Sequence, residues 1–166
     1  MKKKQSSRRR LHAAALYSVF GIYLMVLFAL LFGKRTDLRA VNLVPFRSIA
    51  DHLGGDLLAR SFALNNIGGN IALFVPLGVY VALLGRSRTF GAQVGLIALL
   101  SAAAETAQYV FRVGVTDIDD VLLNTVGGAI GILAFRLLRR LLGERARLAV
   151  ELLAPLAAVA VVLILR

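Results

Sequence analysis

Long stretches almost free of charged residues dominate this chain and limit the folds that it can adopt. Residues 13–33 carry no charge, and at about 1.5 Å per residue they extend roughly 30 Å, the thickness of a membrane's hydrocarbon core. Residues 61–85 are also uncharged, and residues 90–111 contain one charge, that of Glu105. With 58% hydrophobic residues and a mean hydropathy of +0.77, the chain has too little polar surface to cover a soluble core. These stretches predict an integral membrane protein.

The predicted architecture is an all-α, polytopic bundle of five transmembrane helices. A basic cytoplasmic N-terminus, residues 1–12, precedes a membrane domain over residues 13–147 and a C-terminal transmembrane helix over residues 148–166. The membrane domain contains four predicted spans, at residues 13–33, 67–84, 90–111 and 121–140. The fifth apolar stretch, Leu152–Leu165, contains a proline and has only 14 residues, so it crosses the membrane only if residues 149–151 lie in the interface.

The distribution of basic residues predicts the orientation of the chain. If the N-terminus is cytoplasmic, the inner segments hold 13 of the 20 lysines and arginines and the outer segments hold seven. An excess of basic residues on the cytoplasmic side is the usual pattern in membrane proteins. We therefore predict a multi-pass protein of the cell membrane with its N-terminus in the cytoplasm and, given five spans, its C-terminus outside.

Composition also bears on the partners and sites that can be expected. The net charge is +11, but the basic residues flank the apolar stretches, which indicates membrane lipids rather than nucleic acid as partners. The chain has no cysteine, and its two histidines, His12 and His52, are far apart in the sequence. Thiolate and histidine metal sites are therefore not expected, and the sequence predicts no cofactor.

Several polar residues lie within or beside the apolar stretches, at a similar predicted depth below the outer surface. Glu105 lies roughly 9 Å below the outer end of the third predicted span, and Asn70 and Asn124 lie about one turn below the outer ends of the second and fourth. An ionisable residue inside a membrane span is costly and is a candidate functional site, so we expect Glu105 to pair with Arg112 or with the two asparagines. The candidate ligand-binding residues are Asn70, Glu105, Gln108, Arg112, Asp117, Asp120 and Asn124.

Structural roles are an alternative explanation for part of this pattern. Asp117 and Asp119 resemble an N-terminal capping box, and acidic residues in a first turn interact favourably with the helix dipole. The two asparagines can join helices by hydrogen bonds that contribute about 0.6 kcal/mol each. Gly127 and Gly131 form a small-xxx-small pair, which predicts close packing against another helix.

Four ordered motifs resemble those of the VanZ-like family. They are Asn42-Leu-Val-Pro-Phe46, Asn70-Ile-Ala-Leu-Phe-Val-Pro-Leu-Gly78, Glu105-x-x-Gln108 and Asp117-Ile-Asp-Asp-Val-Leu-Leu-Asn-Thr-Val-Gly-Gly128. The resemblance covers roughly residues 38–140 and departs from the family at Arg112, because the arginine before the acidic motif usually lies closer to it. The family is named for an accessory protein that confers low-level teicoplanin resistance. The resemblance therefore implies a cell-envelope membrane protein with a link to glycopeptide resistance.

Two functions fit these observations. The first is an accessory protein that binds a lipid-linked or amphipathic envelope molecule between the second, third and fourth spans, with the loop 34–66 lying on the membrane or folding back as a lid. The second is a membrane enzyme that acts on a lipid-linked envelope intermediate. Glu105 would then be its general acid or base, and Asp117 and Asp120 would hold a divalent cation. The binding function is favoured, since the site offers neither a nucleophile–base pair nor a nearby histidine.

Overall fold

The computed structural model describes residues 2–33, 41–85 and 88–153 and confirms an all-α helical bundle. The helices of the described residues are α1 Lys2–Phe32, α2 Arg47–Leu53, α3 Leu57–Leu84, α4 Phe90–Phe111 and α5 Ile118–Leu142. A 3₁₀ turn, Gly143–Arg145, follows α5, and residues 146–153 are again helical. Two short strands, β1 Val41–Asn42 and β2 Thr116–Asp117, pair in parallel.

Four helical segments of the described residues are long and apolar enough to cross a membrane. They are Ala13–Phe32, Leu57–Leu84, Phe90–Phe111 and Ile118–Leu153. The helices α1, α3, α4 and α5 therefore correspond to the first four predicted spans. The fifth predicted span, Leu152–Leu165, lies almost entirely outside the described residues.

Helix α3 extends well beyond the span predicted from its charge-free stretch. It begins at Leu57, whereas the predicted span begins at Ile67. Asp56 caps the helix, because its side chain accepts a hydrogen bond from the backbone N–H of Ala59 at 2.9 Å. Arg60, a charged residue in the first turns, donates to the carbonyl oxygen of Leu53 at 3.1 Å. Charge alone therefore does not mark where this helix starts.

Helices α3 and α5 form the centre of the bundle, and their backbones approach closely at glycines. A Cβ atom added to Gly131 would lie 2.0 Å from the carbonyl oxygen of Val75. A Cβ atom on Gly127 would lie 2.2 Å from the carbonyl oxygen of Ile71, and Gly78 of α3 is equally close to the backbone of α5. The predicted packing role of the two glycines of α5 is confirmed, and their contact partner is α3.

Helix α1 is joined to the bundle by two tyrosine hydroxyl groups. Tyr23 donates to the carbonyl oxygen of Leu73 at 2.6 Å, and Tyr80 of α3 donates to the carbonyl oxygen of Leu16 at 3.5 Å. Leu16, Tyr23 and Leu27 are buried and are spaced by seven and four residues, which places them on one face of the helix. This single buried face fits a helix whose other sides contact lipid.

Residues 41–56 fold back over one end of the bundle, which is one of the two alternatives predicted for the loop before the second span. Strand β1 pairs with β2 directly before α5, with Asn42 opposite Asp117. The short helix α2 packs against α3 and α5. We call this end of the bundle, where α4 ends and α5 begins, the acidic end. It carries Glu105, Asp117, Asp119 and Asp120.

Candidate functional site

Asp119 fastens the α2 segment to the acidic end. Its side chain is 1% exposed, and one carboxylate oxygen accepts a hydrogen bond from the backbone N–H of Phe46. The other oxygen accepts from the backbone N–H of Ile49 at 3.3 Å. The Phe46 amide directly precedes α2 and the Ile49 amide lies in its first turn, where backbone N–H groups lack helical partners and a negative charge is favourable. Asp119 thus caps a helix distant in sequence, which a local capping motif does not predict.

Asp117 caps its own helix and also holds β1. Its Oδ1 atom accepts from the backbone N–H of Asp119 at 2.9 Å and from the Nδ2 atom of Asn42 at 3.0 Å. The same amide nitrogen of Asn42 donates to Ser48 Oγ at 3.0 Å. The capping alternative is therefore confirmed for Asp117. In addition, the motif that begins at Asn42 meets the motif that begins at Asp117.

Glu105 has a different partner from those predicted. It is 4% exposed, and its Oε2 atom accepts from the backbone N–H of Asp117 at 3.0 Å. The hydroxyl group of Thr116 donates to the carbonyl oxygen of Glu105 at 3.2 Å. The prediction that Glu105 pairs with Arg112 or with the asparagines is wrong. Arg112 is an exposed residue that ends α4 in a left-handed conformation, φ 57°, and this turn brings the β2 backbone past Glu105.

Asp120 joins α5 to α3 at the acidic end. Its Oδ1 atom accepts from the Nδ2 atom of Asn70 at 2.6 Å and from the Nδ2 atom of Asn66 at 3.4 Å. Asn66 and Asn70 are one helical turn apart, so both reach the same carboxylate. The structure thus brings Asn70 and Asp120 together and adds Asn66, which the candidate set omitted although it shares a helix face with Asn70.

Two of the candidate residues make their contacts away from these carboxylates. Asn124 donates to Ser101 Oγ at 2.9 Å, and both side chains are buried between α4 and α5. Gln108 donates to the carbonyl oxygen of Leu31 at 2.7 Å and so links α4 to α1. Within the described residues, Gln108 Oε1 and Asn124 Oδ1 are buried without a hydrogen-bond partner. Both residues thus join helices by hydrogen bonds, which is the role that the sequence analysis gave as the alternative to ligand binding for Asn124.

A cavity of about 180 Å³ lies beside these residues, between α2, α3 and α5. Its polar lining includes Ser48, Asn66 and Asp119, and its apolar lining includes Phe62, Ile67 and Leu123. Hydrogen-bond acceptors and apolar side chains therefore face the same space. Such a lining suits a molecule that has polar donor groups next to an apolar part.

The carboxylates of the acidic end are satisfied by N–H groups of the protein. Asp117 and Asp120, the residues proposed for a cation, accept from backbone and asparagine N–H groups. Among the residues that the structure describes, no group of three or more acidic or histidine side chains is arranged to hold a metal ion. The hydrogen bonds of these carboxylates therefore join β1, α3 and α5 to one another at the acidic end.

The comparisons with known proteins cover the helices and strands that form the acidic end. The VanZ/LLP1 family matches residues 14–139, about three quarters of the chain. Protein VanZ of Enterococcus faecium is 26% identical over 107 residues, which cover 64% of this chain and 59% of that protein's length. No solved structure matches the chain significantly. Because the family match covers well over half of the sequence and four apolar helices accompany it, this chain is a membrane protein that belongs to the VanZ/LLP1 family.

Proposed function

We propose that this protein is a cell-envelope accessory protein that binds an amphipathic or lipid-linked envelope molecule at its acidic end. The cavity beside α2 carries this proposal, because it is lined by Asn66 next to Phe62 on α3 and by Asp119 next to Leu123 on α5. A ligand with hydroxyl or amino groups can donate a hydrogen bond to the Oδ1 atom of Asn66, because within the described residues this side chain uses only its Nδ2 atom. Its apolar part can then contact Phe62 and Leu123 and continue along the exposed Leu58 of α3.

The proposed ligand class agrees with the link to glycopeptide resistance that the VanZ resemblance implies. Teicoplanin-type antibiotics act in the cell envelope, so a protein that binds an envelope molecule is placed to modify their effect. The alternative, an enzyme with Glu105 as general acid or base, receives less support. Glu105 is 4% exposed, its carboxylate accepts a backbone N–H, and it does not line the cavity.

The proposal predicts different effects for two adjacent asparagines of α3. Both side chains are exposed, but only Asn66 lines the cavity. Expression of the wild-type chain should raise the teicoplanin concentration that a sensitive host survives, and Asn66→Ala should remove most of that increase. Loss of one uncharged hydrogen bond weakens binding roughly threefold to tenfold.

Asn65→Ala is the matched control and should behave as wild type, with the amount of each variant in membranes measured by immunoblot. Equal behaviour of the two variants would contradict a role for the cavity, and an inactive wild-type chain would contradict the resistance link.

We further infer that the N-terminus is cytoplasmic and that the acidic end faces outward, on the basis of the 13 basic residues that this orientation places inside. Residues 148–166 would then cross outward as a fifth span. Because the chain has no cysteine, single substitutions report position directly. Asp51→Cys should react with a membrane-impermeant maleimide in intact cells, and Ser7→Cys only after permeabilisation. Labelling of both positions from the same side would contradict this topology.

A further inference from the structure

The opposite end of the bundle contains a second, basic cavity that the proposed function does not use. It lies where α3 ends and α4 begins, and its volume is about 160 Å³. We call this region the basic end. Its lining consists of Ala82, Gln93, Phe135, Arg136, Arg139 and Arg140. Among the described residues, three positive charges thus face one small space that no carboxylate lines.

Arg136 is held in place at this cavity by two contacts. Its Nη2 atom donates to the Oε1 atom of Gln93 at 2.9 Å, and its Cζ atom lies 5.3 Å from the centre of the Phe90 ring. Gln93 is itself only 2% exposed, and its Nε2 atom donates to the carbonyl oxygen of Gly85 at 3.0 Å. A guanidinium group has five N–H donors, and Arg136 uses one of them within the described residues. The buried glutamine therefore fixes the group while leaving donors for a ligand.

Arg139 and Arg140 extend the basic lining by one helical turn. They follow Arg136 by three and four residues, so all three side chains lie on neighbouring positions of α5. Within the described part of the chain, neither Arg139 nor Arg140 makes an ion pair or a side-chain hydrogen bond.

The surface of α5 next to the cavity is apolar and open. Leu133, Leu137 and Leu141 are 54%, 57% and 73% exposed, and their spacing of four residues places them along one side of the helix. Because α5 belongs to a segment long and apolar enough to cross a membrane, lipid chains can lie along this side. A phosphate near the arginines and an acyl chain along these leucines can therefore belong to the same molecule.

We propose that the basic end binds the phosphate group of an anionic phospholipid in a specific site formed by Arg136, Arg139 and Arg140. Guanidinium groups hold phosphate oxygens through paired hydrogen bonds, which suits them to this group. Basic cavities between membrane helices are known to hold lipid headgroups. The apolar side of α5 favours a lipid over free phosphate, because free phosphate has no part that would contact the leucines.

Native mass spectrometry of the purified full chain in detergent tests the proposal. Wild-type protein should retain phosphatidylglycerol in preference to phosphatidylcholine at equal concentration. The double variant Arg139→Gln, Arg140→Gln should weaken phosphatidylglycerol binding by about 25-fold, since each arginine near a membrane surface contributes about fivefold. Arg145→Gln is the matched control, because Arg145 is exposed at the same end but does not line the cavity.

Each other outcome of this experiment overturns the proposal. Equal retention of the two lipids by the wild-type chain would exclude a headgroup site without reference to any variant. Weakening by Arg145→Gln of about fivefold, the same effect per removed charge as in the double variant, would indicate diffuse surface charge. Displacement of phosphatidylglycerol by millimolar inorganic phosphate would indicate a site for free phosphate. Thermal unfolding of each variant shows whether it is folded. If the glutamine pair does not fold, the double variant Arg139→Lys, Arg140→Lys replaces it, because it keeps both charges. It should bind phosphatidylglycerol more weakly than wild type, since lysine does not form the paired hydrogen bonds of arginine, and wild-type binding would overturn the proposal.

Discussion

Replacement of Gly131 by alanine is expected to destabilise the protein by about 1–3 kcal/mol, the usual effect of forcing extra volume into a packed core. The new Cβ atom would lie 2.0 Å from the carbonyl oxygen of Val75 and 2.9 Å from the backbone nitrogen of Val79. Both of these atoms belong to the α3 backbone, so no side-chain rotation can relieve the overlap. Helices α3 and α5 would have to move apart, which would disturb the packing between them.

Gly95→Ala provides the matched control, because it adds the same methyl group to a helix at a position with nothing within 4 Å. Alanine favours helix over glycine by about 1 kcal/mol, so this control should be neutral or stabilising. Thermal unfolding followed by circular dichroism in one detergent compares the two variants. If Gly131→Ala unfolds at the wild-type temperature, the close approach of α3 and α5 is contradicted.

Replacement of Asp119 by alanine is expected to release the α2 segment from the acidic end. The change leaves the backbone N–H groups of Phe46 and Ile49 without their acceptors. A hydrogen bond to a charged group contributes about 1.5–3 kcal/mol, so amide exchange in residues 43–53 should accelerate by at least about tenfold. Hydrogen–deuterium exchange followed by mass spectrometry of this peptide measures the effect directly.

Two further variants define how specific the release is. Asp51→Ala removes an exposed carboxylate of α2 that pairs with Arg47 at 3.7 Å, and it should leave exchange nearly unchanged. Asp119→Asn keeps one acceptor oxygen and should fall between wild type and Asp119→Ala. Wild-type exchange rates in Asp119→Ala would show that another contact holds this segment.

The helices of the bundle were predictable because a helix that crosses a membrane must be apolar along its whole span, and such a stretch is visible in the sequence. A span needs about 20 apolar residues, and the charges that flank such stretches locate the C-terminal end of α1 and both ends of α4, whereas α1 begins at Lys2 within the basic N-terminus. Gly127 and Gly131 predicted close helix packing because small residues matter only where another backbone approaches. The contact between Asn70 and Asp120 was predictable only in part: both residues lie near the outer ends of the predicted second and fourth spans, although α3 begins ten residues before the predicted second span.

The partners of the buried carboxylates were not predictable in the same way. Glu105 and Asp119 accept hydrogen bonds from backbone N–H groups, and every residue except proline has such a group. A sequence therefore does not mark which amides a carboxylate will meet. Arg112 was predicted as a partner of Glu105 because its charge is opposite, whereas the partner in the structure is the backbone N–H of Asp117. Gln108 likewise reaches α1, whose position in the bundle no motif specifies.

The pairing of β1 with β2 has a consequence for the order in which the protein assembles. Asn42 and Phe46 find their partners in Asp117 and Asp119, which are synthesised about 70 residues later. Contacts between residues so far apart in sequence form after local ones, because a long loop must first be closed. The glycine-lined contact of α3 with α5 closes most of that loop. The acidic end can therefore form only after the fourth apolar helix has entered the membrane, and a chain arrested before that point has α2 without its cap.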